Sequence, residues 1–151
     1  MMDGKTNPTR IKADFGFSVP IQIRFSDIDV YLHVNNGIFF NYFEHARALY
    51  LCQSYQWDFL TLGAVVANID MDFLQPIHLQ DVVQAYVRCI SIGNSSFLLE
   101  QALLGKKEGG NEVVFATART TMVTIDLKTM KSRPIPEEYA VKIRKLERLE
   151  E

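Results

Sequence analysis

Between Ser26 and Asn36 the chain reads SDIDVYLHVNN, with two carboxylates, an imidazole and two adjacent amides among isolated apolar residues. No hydrophobic period fits this stretch, so it predicts a loop. A carboxylate in a loop has two uses. It serves as a nucleophile or general base, or it accepts hydrogen bonds from the amides of its own turn. Residue types alone leave both open for Asp29. Asp27 reads as the acid that caps or orders the loop. Asn35 and Asn36 close the segment, and Asn favours a helix N-cap. A helix opening there presents unpaired N–H groups and the positive end of its dipole, both of which stabilise nearby negative charge.

Those groups need a helix and a scaffold to hold them. Ile38, Phe39, Tyr42, Phe43, Ala46, Leu49 and Tyr50 recur at helical spacing, and Phe40 widens the stripe. A helix this apolar belongs inside a concave partner, not on a surface. It is predicted to end between Cys52 and Tyr55, with a short helical turn over 57–62. Ahead of the loop, Val19, Ile21, Ile23 and Phe25 alternate with polar residues, which predicts a half-buried strand from Phe17 to Phe25. Pro20 confines that strand to an edge. Residues 64–74, 82–92, 95–105 and 112–126 read as four long strands. Gly93-Asn94 and Gly109-Gly110-Asn111 are tight-turn signals between the last three. Long strands with short turns predict an antiparallel meander. The economical α+β solution is one long helix wrapped by one curved antiparallel sheet of about five strands. Residues 1–15 read as a flexible tail and 16–136 as the single domain. The charge-dense 137–151 reads as a helical tail with a solvated face.

With 151 residues, 48% of them hydrophobic, the chain buries a sizeable core without disulfide or metal. A net charge of −2 gives no field to recruit nucleic acid or an anionic membrane surface. No apolar run is long enough for a transmembrane helix, and the N-terminus lacks a signal peptide, so the expected compartment is the cytoplasm. Cys52 and Cys89 are expected as reduced, buried small hydrophobes. His45 and His78 lack partners at metal-ligand spacing, so they are read as structural and no metal is expected. Glu44 and Arg47 stand at i, i+3 on the helix and predict an ion pair beneath the sheet.

Asp27-Ile28-Asp29 followed by His33-Val34-Asn35-Asn36 resembles the D-x-D-x-x-x-H-V-N-N segment of the hotdog-fold thioesterases. The resemblance is to the 4-hydroxybenzoyl-CoA thioesterase-like group, which includes the acyl-ACP thioesterases. Tyr42 to Arg47 is similar to that group's Y-F-E-x-A-R, and Asp72 to Pro76 to its D-F-x-x-P. Ile92 to Phe97 matches an I-G-x-S-S-F hairpin. Ala116 to Arg119 fits the group's last strand, and Pro134-Ile135-Pro136 fits the segment after that strand. A lone D-x-D would be weak, but these landmarks stand in order over about residues 17–140. The resemblance implies a hotdog fold, a homodimer, often paired into a homotetramer, and an active site at the dimer interface. It implies hydrolysis of an acyl thioester, with no metal and no cofactor beyond the pantetheine of an acyl-CoA or acyl-carrier-protein substrate.

The resemblance also implies roles. Thioester hydrolysis needs an attack on the carbonyl carbon and a donor for the charge that grows on its oxygen. Asp29 holds the group's catalytic Asp position, as nucleophile or general base. The backbone N–H of Asn36, with that of Gly37, is the implied oxyanion donor. His33 matches a histidine that takes part in the acyl-ACP thioesterase site, or else it fixes Asp29 and the loop. Tyr31, Phe39, Phe40 and Phe43 are candidates to line an aryl or aliphatic acyl pocket, and Asn35, Gly37, Ser95 and Ser96 are further substrate-binding candidates. Arg119 is a candidate, with Ser95 and Ser96, for the pantetheine or the CoA phosphates, and Lys106 and Lys107 reach the nucleotide phosphates only loosely from a solvated hairpin. Tyr31 stands where plant-type members carry Asn, and Leu32 where many members carry Gly, which makes a bulkier loop. Two other activities share the fold, a non-catalytic acyl-thioester-binding module and a hydratase or dehydratase. The intact Asp29 argues against the first, and the second carries its histidine and acid in another arrangement.

Overall fold

In a computed structural model that describes residues 6–150, the elements run in the order α1 (Pro8–Asp14), β1 (Phe17–Ile21), α2 (Asn36–Tyr55), β2 (Gly63–Phe73), β3 (Val82–Ile92), β4 (Ser96–Lys106), β5 (Glu112–Ile125) and α3 (Glu137–Glu147). The apolar stripe of α2 determines the rest. Phe39, Phe43, Ala46, Tyr50 and Leu51 are fully or almost fully buried. Their partners include Val83, Ala85, Val87 and Cys89, the alternate residues of β3, and Leu99 and Leu103 of β4. The helix stops where Gln56 turns left-handed and its N–H returns to the carbonyls of Cys52 and Leu51.

The sheet is antiparallel throughout, in the order β1-β3-β4-β5-β2. The meander holds for β3, β4 and β5, while β2 crosses over to pair with β5 at the far edge. Register irregularities at Val66/Asn68, Cys89/Ser91 and Leu103/Leu104 add local bends, which help a sheet wrap a helix. Only glycine fits at Gly105, because a Cβ there would lie 1.8 Å from the carbonyl oxygen of Val82. β1 is an edge strand, as Pro20 requires, but it ends at Ile21. Phe25, expected within it, sits in a 3-10 turn at 83% exposure.

Three further expectations are corrected. Residues 8–14 are not a loose tail: Asn7 caps α1 by accepting from the N–H groups of Thr9 and Arg10, and Pro8 provides a pre-set first turn. Ile11 and Phe15 are 3% and 8% exposed, packed with Tyr86, Ala102, Leu104 and Val114 on the outer sheet face. Residues 1–5 of that predicted tail lie outside the described residues. Cys52 is exposed, and only Cys89 is buried. Glu44 is exposed and makes no ion pair with Arg47. Arg47, at 5% exposure, donates to Gln101 Oε1 at 3.3 Å.

α3 does more than trail the domain. Tyr139, Ala140 and Ile143 are buried in the main core, and the Tyr139 ring stacks on Trp57 at 4.5 Å. Glu147 accepts from the buried Tyr50 hydroxyl at 2.6 Å, and that hydroxyl also accepts from the N–H of Cys89 at 3.0 Å. Burial, with the nearby Tyr55 and Glu147, pushes the Tyr50 phenol far above its ordinary range.

The docking of α1 is checked by Phe15→Ala. Removing this ring from its packed position should cost about 3 kcal/mol in urea unfolding, whereas an unstructured tail would give no change.

Candidate active site

The loop ahead of α2 is anchored by a buried acid. Asp27 Oδ2 accepts from the Tyr42 hydroxyl at 2.6 Å and from the N–H of Arg24 at 3.0 Å. The Asp27 carbonyl accepts from the N–H of Asn35 at 2.9 Å. Burial, and then the bond to Asp27, pushes the Tyr42 phenol well above its usual range. Asp27 therefore ties the loop to α2, the ordering role its position suggests.

From Ile28 to Val34 the loop is a miniature hairpin. Ile28 bridges Val34, and Asp29 donates its N–H to the His33 carbonyl at 2.8 Å. The N–H of Leu32 closes the turn onto the Asp29 carbonyl at 3.0 Å. Leu32 holds φ at +63°, a left-handed conformation that glycine adopts without cost. This is the physical meaning of a glycine in many members of the resembling group. Asp29 Oδ1 accepts from the N–H of Tyr31 at 2.9 Å and from that of His33 at 3.4 Å. Both bonds fall on Oδ1, and Oδ2 has no protein partner among the described residues. The carboxylate is held by its own turn and still has one oxygen to offer.

α2 begins beside it. Asn35 is the N-cap, and its Oδ1 accepts from the N–H of Gly37 at 2.8 Å. The two implied donors therefore separate. The N–H of Gly37 is engaged by the cap, and the N–H of Asn36 has no partner among the described residues. The helix dipole adds to its pull on negative charge.

These groups share one cleft of about 460 Å³. Asp29, Tyr31, His33, Asn35, Asn36 and Phe39 line it, as do Val34 and the Phe73–Pro76 segment that ends β2. The Phe39 and Phe73 rings meet edge to face at 5.2 Å and form an apolar wall. Phe40 is half exposed outside the cleft lining. Ser95 and Ser96 are not brought there within one chain. Ser96 pairs with Val123, toward the end of the sheet where Gly63 pairs with Ile125, whereas Phe73 pairs with Ala116 at the other end. Arg119 opens into a separate cleft beneath α1, where it pairs with Glu100. Lys107 is not a loose hairpin lysine, since it is bound to Pro76, His78 and Asp81. His78 is not isolated either: its ring meets that of His33 edge to face at 4.7 Å. Among the described residues, no group of three or more His, Cys, Asp or Glu side chains is placed to hold a metal.

The lining residues that sequence reasoning missed are Val34 and the run Phe73, Leu74, Gln75 and Pro76. The signal for that run was the D-F-x-x-P segment, read only as the end of a strand.

Comparison with known proteins agrees with this architecture. Residues 23–143 match the thioesterase-like superfamily. The long-chain acyl-CoA thioesterase FadM of Escherichia coli is 32% identical over 129 residues, covering 83% of this chain and 96% of its own. The acyl-CoA thioesterase YbgC of Haemophilus influenzae is 25% identical, over 83% of this chain and 92% of its own. The crystal structure of a Thermus thermophilus thioesterase complexed with coenzyme A and Zn superposes with a TM-score of 0.76 at 34% identity, over 89% of this chain and 96% of that one. An aspartate with one free carboxylate oxygen and the first residue of the central helix line one cleft of a hotdog fold shared with these proteins, and this chain belongs to the thioesterase-like superfamily.

Proposed function

We propose that the chain is an acyl-CoA thioesterase in which Asp29 attacks the thioester carbonyl and the N–H of Asn36 stabilises the oxyanion. The observation that carries this reading is that the unpartnered Asp29 Oδ2 and the unpartnered Asn36 N–H belong to residues lining one cleft. A carboxylate oxygen needs no further activation to attack, provided the developing charge is met by a fixed donor. As the Oδ2–carbon bond forms, the carbonyl electrons move onto oxygen. They return as the carbon–sulfur bond breaks, and the thiolate leaves and takes a proton from water. Water then opens the mixed anhydride, releasing the acid and restoring Asp29. His33 brackets Asp29 through its backbone and lines the cleft. The acyl group lies against Phe39 and Phe73. Coenzyme A in the Thermus structure and the names of FadM and YbgC support CoA as the carrier.

The active form is at least a dimer. β2, an edge strand of eleven residues, is paired only with β5; its open edge exposes Val65 and Val66 toward one end and Phe73 at the cleft. An edge this long is left open in few soluble proteins, and a second copy would cover it and complete the cleft. The thiols of Cys52 and Cys89 are unpaired, which fits a cytoplasmic setting.

Asp29→Asn should lower kcat toward an acyl-CoA by at least ~10², with an unchanged melting temperature because Asn still accepts from Tyr31. Activity within a few-fold of wild type would refute the role. In a single turnover in ¹⁸O-water with enzyme in excess, opening at the Asp29 carbon puts label into the peptide containing Asp29 and none into the first acid released. Label confined to the acid would favour direct attack by water or opening at the acyl carbon. Light scattering at micromolar concentration should give the mass of two copies or more, and a fully active monomer would remove the interface.

A further inference from the structure

At the Pro76 wall of the cleft, the tip of the β4–β5 hairpin meets the segment between β2 and β3. Lys107 donates to the carbonyl of Pro76 at 2.8 Å and to Asp81 Oδ2 at 2.9 Å, and it contacts His78 Nδ1 at 2.8 Å. An ammonium has three N–H donors and cannot accept, so all three are engaged here. The contact requires His78 Nδ1 to accept and so selects the tautomer with its proton on Nε2. The Asp81 side chain is almost fully buried. It accepts from the N–H groups of His78 at 2.8 Å and Glu108 at 3.1 Å as well as from Lys107.

Residues 74–78 are held step by step. The N–H groups of Leu74 and Gln75 both bond the Phe115 carbonyl, at 2.9 and 3.1 Å. Pro76 bonds Lys107. The carbonyl of the buried Ile77 accepts from the N–H of Val34 at 2.8 Å. Val34 comes directly after His33, whose N–H and carbonyl both bond Asp29. The His78 ring rests edge-on against His33. Lys107 is therefore a short run of hydrogen bonds from the reactive loop without touching the cleft.

We infer that Lys107, with Asp81 and His78, is a positioning group that clamps residues 74–78 and through Val34 and His33 sets where the Asp29 carboxylate stands. A hairpin staple would need only one bond to the neighbouring chain. This lysine instead grips the two residues flanking Ile77, the residue that carries the catalytic hairpin. The functional half of the inference rests on Asp29 being the reactive carboxylate.

The clamp has a pH signature. Burial opposes ionisation of Asp81, but the bonds from the His78 amide, Lys107 and the Glu108 amide outweigh it and hold the carboxyl below its ordinary range. The groups facing it are Lys107 and His78. A carboxyl depressed in the folded state contributes stability above its unfolded pKa of about 3.9, lost as pH falls through the lower folded value. Asp81→Asn should therefore melt below wild type at pH 7, and the gap should close as pH drops below about 4.

Three variants test the clamp: Lys107→Met, Lys107→Arg, and Lys107→Met with Asp81→Asn, which avoids a buried uncompensated carboxylate. Each is assayed for kcat and KM on an acyl-CoA, and by hydrogen exchange at the Val34 amide with Phe43 as reference. Lys107→Met and the double variant should lose about tenfold in kcat with KM within twofold, since small misplacements of a reacting group cost this much or more. Val34 exchange should quicken at least tenfold while Phe43 stays unchanged, and Lys107→Arg should recover most of both. A folded double variant with wild-type kcat and unchanged Val34 exchange would overturn the clamp. Quickened exchange with wild-type kcat would overturn its link to catalysis. If Asp29→Asn proves fully active, the reading of Asp29 fails by itself, and Val34 exchange alone decides the clamp.

Discussion

A buried phenol facing a buried carboxylate determines how the loop meets the helix. Tyr42 lies on the inward side of α2, and Asp27 is the acid its hydroxyl reaches. Buried polar atoms must find partners or cost about 1–3 kcal/mol each. Sliding the loop by one residue would strand both groups. The pairing therefore sets the register of everything from Arg24 to Asn35, including the amide of Asn35 on the Asp27 carbonyl. The start of α2 depends on that register, and with it the position of the Asn36 amide. The place of Asp29 in the loop thus depends on the buried Asp27.

A second buried polar group pins the helix to the sheet. Arg47 is desolvated, which lowers its pKa although a guanidinium remains charged. Its partner is an amide: Gln101 accepts from Arg47 and from the Thr120 hydroxyl at 3.2 Å, and donates to the Phe43 carbonyl at 3.0 Å. One side chain on β4 thus ties a helix side chain, the helix backbone and β5. An i, i+3 rule on a helix compares only neighbours along that helix. It pointed to Glu44 because Gln101 is more than fifty residues away in sequence, and only the sheet brings it underneath.

The same distinction separates the features that were legible in the sequence from those that were not. α2 and the four long strands were legible because each is read from its own apolar period and its own turns. The strand order was not, because pairing β2 with β5 is a choice between distant segments. The cap at Asn35 was visible as a residue type. That its oxygen takes the Gly37 amide and leaves that of Asn36 depends on a rotamer. α1 was hidden because it offers only Ile11 and Phe15 to a surface whose apolar character shows after the sheet is assembled. Phe73 to Pro76 were in plain sight as a motif, but a strand end becomes a wall only once a loop faces it.

α1 has a wider consequence for how such domains associate. Two curved sheets can stack only through convex faces that are bare, and here a helix of seven residues occupies part of that face. Lys12 pairs with Glu112 across the contact, and Arg88 stacks its guanidinium on the Phe15 ring at 4.6 Å. The helix covers the part of the outer face formed by Tyr86, Ala102, Leu104 and Val114, so a second sheet brought against that part would meet α1 first. A short N-terminal segment thereby gives the outer face of the sheet a relief that the strands alone would not have.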